Sequence, residues 1–209
     1  MLSSIKNIIF DIGGVLIDLD RERCVDSFTR AGFPEADNLI DFYHPAEFFQ
    51  RLERGEIDAD ELCDIIRANY SFCGANEQIC EAYCDFLDQI PLFKLKMLES
   101  LKARGFRLYA LSNVNAIVMP KVRKLFEADG KSIDEYFEKT YLSFEMGCLK
   151  PDDIIYQKLI DDSGIVPSET LFIDDSQHNI DAGAKFGLQL YLAKAHEDYC
   201  HIFETLNVE

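Results

Sequence analysis

Ile5-Lys6-Asn7-Ile8-Ile9-Phe10-Asp11-Ile12-Gly13-Gly14-Val15 is an apolar run that ends on a carboxylate followed by a glycine pair. Its β-branched and aromatic residues predict a strand over Ile5–Asp11, stopped by the glycines. Four more runs of this kind follow: Arg107–Ser112, Lys139–Phe144, Thr170–Asp174 and Leu188–Ala193. Helical spacing fills the gaps between them. Leu95, Leu98 and Leu101 are three apart, with Gly105 placed to stop the helix. Ile155, Leu159 and Ile160 share a face behind Pro151 at a helix start, and Ile180 and Ala184 precede Gly187. Strand and helix alternate from about residue 93 onward, which predicts a parallel, doubly wound α/β sheet.

The stretch between the first two strands is different. It is nearly a hundred residues long and reads as helical throughout. Asp58-Ala59-Asp60-Glu61 has the form of a capping box ahead of Leu62, Ile65, Ile66 and Tyr70. Ile79, Tyr83, Phe86 and Leu87 suggest a second apolar face. Residues 21–90 hold six arginines, no lysine and sixteen acids, against 21 basic and 38 acidic residues in the whole chain. A small helical unit over residues 20–90 is therefore expected, inserted in a core made of 1–19 and 91–209.

Composition excludes several functions. A net charge of −17 is unsuited to neutralising a nucleic-acid backbone. No apolar run approaches the ~20 residues that a bilayer span requires, and the N-terminus lacks the pattern of a signal peptide. The seven cysteines are odd in number and form no C-x-x-C pair, so neither a disulfide framework nor a zinc ribbon is indicated. A cytoplasmic protein with free thiols is expected, as a monomer or weak dimer without membrane or nucleic-acid partners.

Ligands of an open parallel sheet bind beyond the carboxyl ends of its strands. Those ends carry Asp11, Ser112-Asn113 and Asp174-Asp175, and the segment after the third strand carries Lys150. Carboxylates with a backbone carbonyl suit Mg²⁺, a hard ion that prefers oxygen ligands. A hydroxyl, an amide and a lysine suit a phosphate whose oxygens gain negative character during transfer. A carboxylate in line with that phosphate can attack phosphorus.

This ordered set, in a Rossmann-like α/β core with an α-helical cap after the first strand, resembles the haloacid-dehalogenase-like hydrolase superfamily over essentially the whole chain. The resemblance implies that Asp11 is the nucleophile and a metal ligand, with the Gly13 carbonyl as another ligand. It implies that Ser112 and Asn113 hold phosphate oxygens and that Lys150 links phosphate and nucleophile. Asp175 would bind Mg²⁺ directly, with Asp174 acting through water or by orienting its neighbour. The expected substrate is a small phosphorylated metabolite. Within the superfamily, Phe10–Val15, Glu53-Arg54-Gly55-Glu56-Ile57, Leu111–Asn115 and Asp174-Asp175 with Asn179-Ile180 are similar to bacterial phosphatases of α-glucose-1-phosphate.

Two positions depart from the usual pattern. Most phosphatases of the superfamily have a second Asp two residues after the nucleophile, where this chain has Gly13. The glucose-1-phosphate enzymes resemble it in this, and an anomeric phosphate has a leaving group that departs with less need of a proton. Leu149 stands where they usually have Arg. A 2-haloacid dehalogenase also lacks the second Asp but works without metal, which Asp174-Asp175 argues against. A phosphate-binding protein without turnover is the remaining alternative.

Other polar residues are assigned bland roles. Asp20 precedes Glu22, Cys24, Val25 and Phe28 as a helix N-cap, and Asp18 is the other acid near the missing one. Glu53 and Arg54 reach either the substrate or solvent. Cys148 has no evident histidine to activate it, and His44, His178, His196 and His201 have no metal-like spacing.

Overall fold

Alternation along β1 (Asn7–Phe10) sends Ile8 and Phe10 to one face of the sheet and Ile9 to the other. The same division runs through β2 (Arg107–Ser112), β3 (Lys139–Leu142), β4 (Thr170–Asp174) and β5 (Gln189–Leu192). Leu108, Ala110, Leu142, Leu171 and Ile173 join Ile8 and Phe10, whereas Tyr109, Leu111, Tyr141 and Phe172 join Ile9. All four pairings are parallel and the order is β3-β2-β1-β4-β5, so β1 is central and both faces are covered. The computed structural model describes residues 5–33, 36, 47–70, 74–204 and 206; His44 and Cys73 lie outside them.

Ten helices, by our labels, accompany the strands among the described residues. Four lie within residues 20–90, after β1: α1 (Arg21–Arg30), α2 (Glu47–Glu53), α3 (Ala59–Asn69) and α4 (Asn76–Cys84). The others are α5 (Leu92–Ala103), α6 (Met119–Phe126), α7 (Ile133–Tyr136), α8 (Ser143–Met146), α9 (Asp153–Ser163) and α10 (Gln177–Ala184). The capping box at the start of α3 is formed in both directions. Asp58 accepts from Glu61 N and Glu61 accepts from Asp58 N, each at 2.9 Å. Phe28, Leu62, Ile66 and Ile79 of the inserted helices share one apolar cluster with Phe10 and Leu108 of the sheet.

The chain leaves and re-enters the sheet layer through paired segments. Asp18 N donates to Gln89 O (2.8 Å), Asp88 N to Asp18 O (2.9 Å) and Asp20 N to Phe86 O (2.8 Å). Asp18 is buried and ion-paired with buried Lys94 at 3.1 Å, and Asp20 caps α1 by accepting from Arg23 N at 2.9 Å. Both acids therefore have structural partners.

Several boundaries differ from the sequence reading. The third strand stops at Leu142 because Ser143 opens α8, its hydroxyl bonded to Val114 N and Val114 O, both at 2.9 Å. Pro151 lies before the N-cap Asp152 rather than in the first turn of α9, and the Lys150–Pro151 peptide is cis. Phe86 and Leu87 follow the end of α4 instead of extending its face, with Leu87 bridged to Leu19. Ala184 is exposed; α10 packs through Ile180 and Gly183, where an added Cβ would come to 3.0 Å of the Phe172 ring. Among the described residues no helix is long and apolar enough to cross a membrane.

Candidate active site

Strand order reverses between β1 and β4, because β2 and β3 are laid down on one side of β1 and β4 and β5 on the other. At such a reversal the loops leave in opposite directions and open a crevice. Asp11 N donates to Ile173 O at 2.9 Å, so the two strands deliver Asp11 and Asp174 side by side at its floor. Lys150, from the loop after α8, bridges them. Its Nζ lies 2.9 Å from Asp11 Oδ2 and 2.7 Å from Asp174 Oδ2, and its side chain is fully buried.

Each member of this set is held by further bonds. Asp11 Oδ1 accepts from Ile12 N at 2.7 Å. Asp174 Oδ1 accepts from Ser176 N and from Asn179 Nδ2, both at 2.9 Å, which locks it between the start of α10 and Lys150. Asn113 has partners that its sequence position does not reveal. Its Nδ2 donates to Lys150 O and its Oδ1 accepts from Lys150 N, both at 2.8 Å, so its side chain clamps the lysine's backbone. Ser112 is buried at the end of β2, and its hydroxyl has no hydrogen-bond partner among the described residues.

Oxygen atoms of Asp11, Asp174 and Asp175 lie within 4.8 Å of one another. Burial raises the Asp11 carboxyl to about 7; Lys150 opposes this, and Asp174 and Asp175 add to it. Burial and then Asp174 also raise Asp175, against the pull of Lys150. Burial alone would lower Lys150, but Asp11 and Asp174 together hold it well above the usual lysine range. Three carboxylates thus gather around one ammonium, two of them buried. An all-oxygen donor set with surplus negative charge fits a hard divalent cation such as Mg²⁺. Asp175 is the exposed member and has the freer carboxylate, since Asp174 is enclosed by its bonds.

The glycine pair shapes this cluster unequally. Gly14 has φ +73°, and a Cβ there would stand 2.1 Å from Asp175 Oδ2. Only glycine lets the Asp175 carboxylate approach the loop after β1. A Cβ on Gly13 would meet only Leu19, at an ordinary 3.8 Å. Gly14→Ala is expected to push Asp175 aside and weaken Mg²⁺ binding by about 10–100-fold. Mg²⁺ titration of the melting temperature checks this; an unchanged midpoint would count against the role of Gly14.

Sequence reasoning assigned no role to Gly14, Asn179 or the side-chain clamp of Asn113. Asn179 was visible as a polar residue in the first turn after Asp174-Asp175, and its orientation is set by the helix. Cys148 is buried, and burial pushes its thiol up, the reverse of nucleophile activation. His196 lies 3.6 Å from Asp18, by the paired segments.

Comparison with known proteins agrees with this architecture. The family model described as haloacid dehalogenase-like hydrolase matches residues 5–187. A D-ribitol-5-phosphate phosphatase from Bacteroides thetaiotaomicron is 37% identical over 191 residues, 90% of this chain and 91% of that protein. The crystal structure of a HAD family enzyme mutant from Bacteroides thetaiotaomicron, complexed with magnesium and inorganic phosphate, superposes with TM-score 0.92. It is 39% identical, and the match covers 96% of this chain and 100% of that one. A predicted HAD-like family hydrolase from Porphyromonas gingivalis gives TM-score 0.87 at 32% identity, over 96% and 97% of the two chains. With Asp11, Lys150 and Asp174-Asp175 gathered at the strand ends, this chain belongs to the haloacid dehalogenase-like hydrolases.

Proposed function

We propose that the protein is a Mg²⁺-dependent phosphatase of a small sugar or sugar-alcohol phosphate, working through an aspartyl-phosphate on Asp11. The observation that carries this is the buried Lys150 Nζ between Asp11 and Asp174, with Asp175 completing three clustered carboxylates. Asp11, the Gly13 carbonyl and Asp175 would hold the ion, with Asp174 behind them. Bound there, Mg²⁺ offsets charge on the phosphate oxygens and orients the phosphate for in-line attack.

The chain's own groups act as follows. Asp11 Oδ attacks phosphorus and the bond to the leaving oxygen breaks. Lys150 favours the anionic form of Asp11 and draws charge from the phosphoryl oxygens, while the Ser112 hydroxyl donates to one of them. Asn113 contributes by seating Lys150 and lining the phosphate pocket. Water then cleaves the acyl-phosphate and restores Asp11. Residues 20–90 serve as the cap that excludes water and selects the leaving group, over a core of 1–19 and 91–209. The enzyme acts as a cytoplasmic monomer or weak dimer.

Resemblance in the Glu53–Ile57 stretch favours a hexose-1-phosphate, whereas the relative at 37% identity is named for ribitol-5-phosphate, a primary alkyl ester. Purified protein should be offered both esters, an aryl phosphate and a 2-haloacid, with Mg²⁺ or with chelator. Mg²⁺-dependent phosphate release from a sugar or sugar-alcohol ester is the expected result. Metal-independent halide release would replace this reading, and binding without turnover of any ester would refute it.

A further inference from the structure

A phosphatase with glycine at position 13 lacks a side chain beside Asp11 to protonate the leaving oxygen, and Asp18 and Asp20 are bound to Lys94 and to the start of α1. We propose that Glu53, the last residue of α2, is the general acid and base of the reaction, acting on the substrate from the inserted helices. The proposal rests on the phosphatase reading above and supplies the step that it leaves open.

The neighbours of Glu53 pin it to the site. Gly55 has φ +69° and lies so close to the start of α8 that a Cβ would stand 2.5 Å from Phe144 O. Arg54 Nη2 reaches Asp152 Oδ2 at 3.9 Å. Phe144 and Asp152 bracket Lys150 in the chain, so both anchors set the end of α2 over the lysine loop. One turn earlier in α2 Phe49 stacks on Tyr83 with ring centroids 5.0 Å apart, and the Tyr83 hydroxyl accepts from Asn115 Nδ2 at 3.3 Å. The charge of Glu53 acts on both Lys150 and Tyr83. Its carboxyl has no hydrogen-bond partner among the described residues, in contrast to Asp11, Asp18 and Asp174.

The surroundings of Glu53 suit proton transfer. Burial raises its carboxyl to about 7, and Lys150 and then Arg54 limit the rise. Acid and base forms therefore coexist near neutrality, the condition for donating a proton and then accepting one.

The chemistry balances. In the first step Asp11 Oδ bonds to phosphorus, the P–O bond to the leaving group breaks, and its electron pair takes the Glu53 proton to give a neutral alcohol. In the second, Glu53 carboxylate removes a proton from water as its oxygen bonds to phosphorus. The P–O bond to Asp11 then breaks, returning its electron pair to the carboxylate and releasing phosphate. Glu53 ends protonated, as it began.

The test compares leaving groups. For a primary alkyl ester, ribitol 5-phosphate, kcat/KM reports the step that needs a proton; for p-nitrophenyl phosphate the leaving phenolate needs none. Glu53→Gln is expected to lower kcat/KM on the alkyl ester by about 10²–10³-fold and on the aryl ester by less than about threefold. Gly13→Asp added to Glu53→Gln is expected to restore alkyl turnover at least tenfold, since a Cβ at position 13 meets nothing closer than Leu19 at 3.8 Å. Equal losses on both esters, or no loss on the alkyl ester, would overturn the role of Glu53 while an active wild type preserves the phosphatase reading. Phosphate release from neither ester by the wild type, in the presence of Mg²⁺, would overturn both.

Discussion

Asp11→Asn is expected to abolish phosphate release, lowering kcat by about 10⁴-fold or more, because an amide cannot form the acyl-phosphate. The same variant should be the more stable protein when no metal is present. The Asp11 carboxyl is at about 7 in the fold, against an ordinary value of 3.8. Below about pH 4 it is protonated whether folded or not, and it costs nothing. Between there and pH 7 the unfolded chain ionises first, so the native state loses up to about 4 kcal/mol, all of it by pH 8. Asparagine removes that loss. Denaturant unfolding of metal-free protein at pH 8 and pH 5 checks the sign: the variant's advantage should be larger at pH 8. Mg²⁺ should narrow it by favouring the anionic form in the wild type. A variant that retains more than about a hundredth of wild-type turnover would remove Asp11 as nucleophile.

The second large effect is expected at Lys150. Its ammonium is the compensating cation between Asp11 and Asp174, and it is buried with them. Lys150→Ala takes away charge aimed at the phosphoryl oxygens and leaves two carboxylates facing each other. The first loss should lower kcat/KM by about 10³-fold, on the order of 4 kcal/mol at 1.4 kcal/mol per decade. The second should destabilise the metal-free fold by about 3–5 kcal/mol, as for other buried pairs broken on one side. Lys150→Arg should not rescue turnover, because the planar guanidinium is too large for a point between two carboxylates at 2.9 and 2.7 Å. Steady-state kinetics at saturating Mg²⁺ decides the matter; a kcat/KM within threefold of wild type would remove Lys150 from the reaction.

Asp11, Lys150 and Asp174-Asp175 could be read in the sequence because each sits at a strand end or just before a helix, where local patterning is strong. The five strands were visible for the same reason. What could not be read depends on contacts far apart in the chain. Lys139–Phe144 has the composition of a strand, yet Ser143 turns into α8 by bonding Val114, 29 residues away. Asn113 has a side chain fit for phosphate, and only the fold shows it clamped on Lys150. Gly14 follows a strand as many turn glycines do, but its necessity comes from Asp175, just past the end of β4. The missing acid at position 13 could be seen, and its reading favoured leaving groups that depart without a proton. The Glu53 carboxyl on α2, raised to about 7, could not be seen, because its surroundings are set by the fold.

The two adjacent glycines also have opposite evolutionary freedom. Every glycine codon is a single transition from an aspartate or glutamate codon. At position 13 the added Cβ would meet only the Leu19 side chain, at 3.8 Å, so one point mutation can place an acid there without a clash at Cβ. At position 14 the same change would force a carboxylate onto that of Asp175 and require a left-handed backbone of an L side chain. Substitution in this loop is therefore one-sided: the surroundings of position 13 accept a Cβ, and those of position 14 do not.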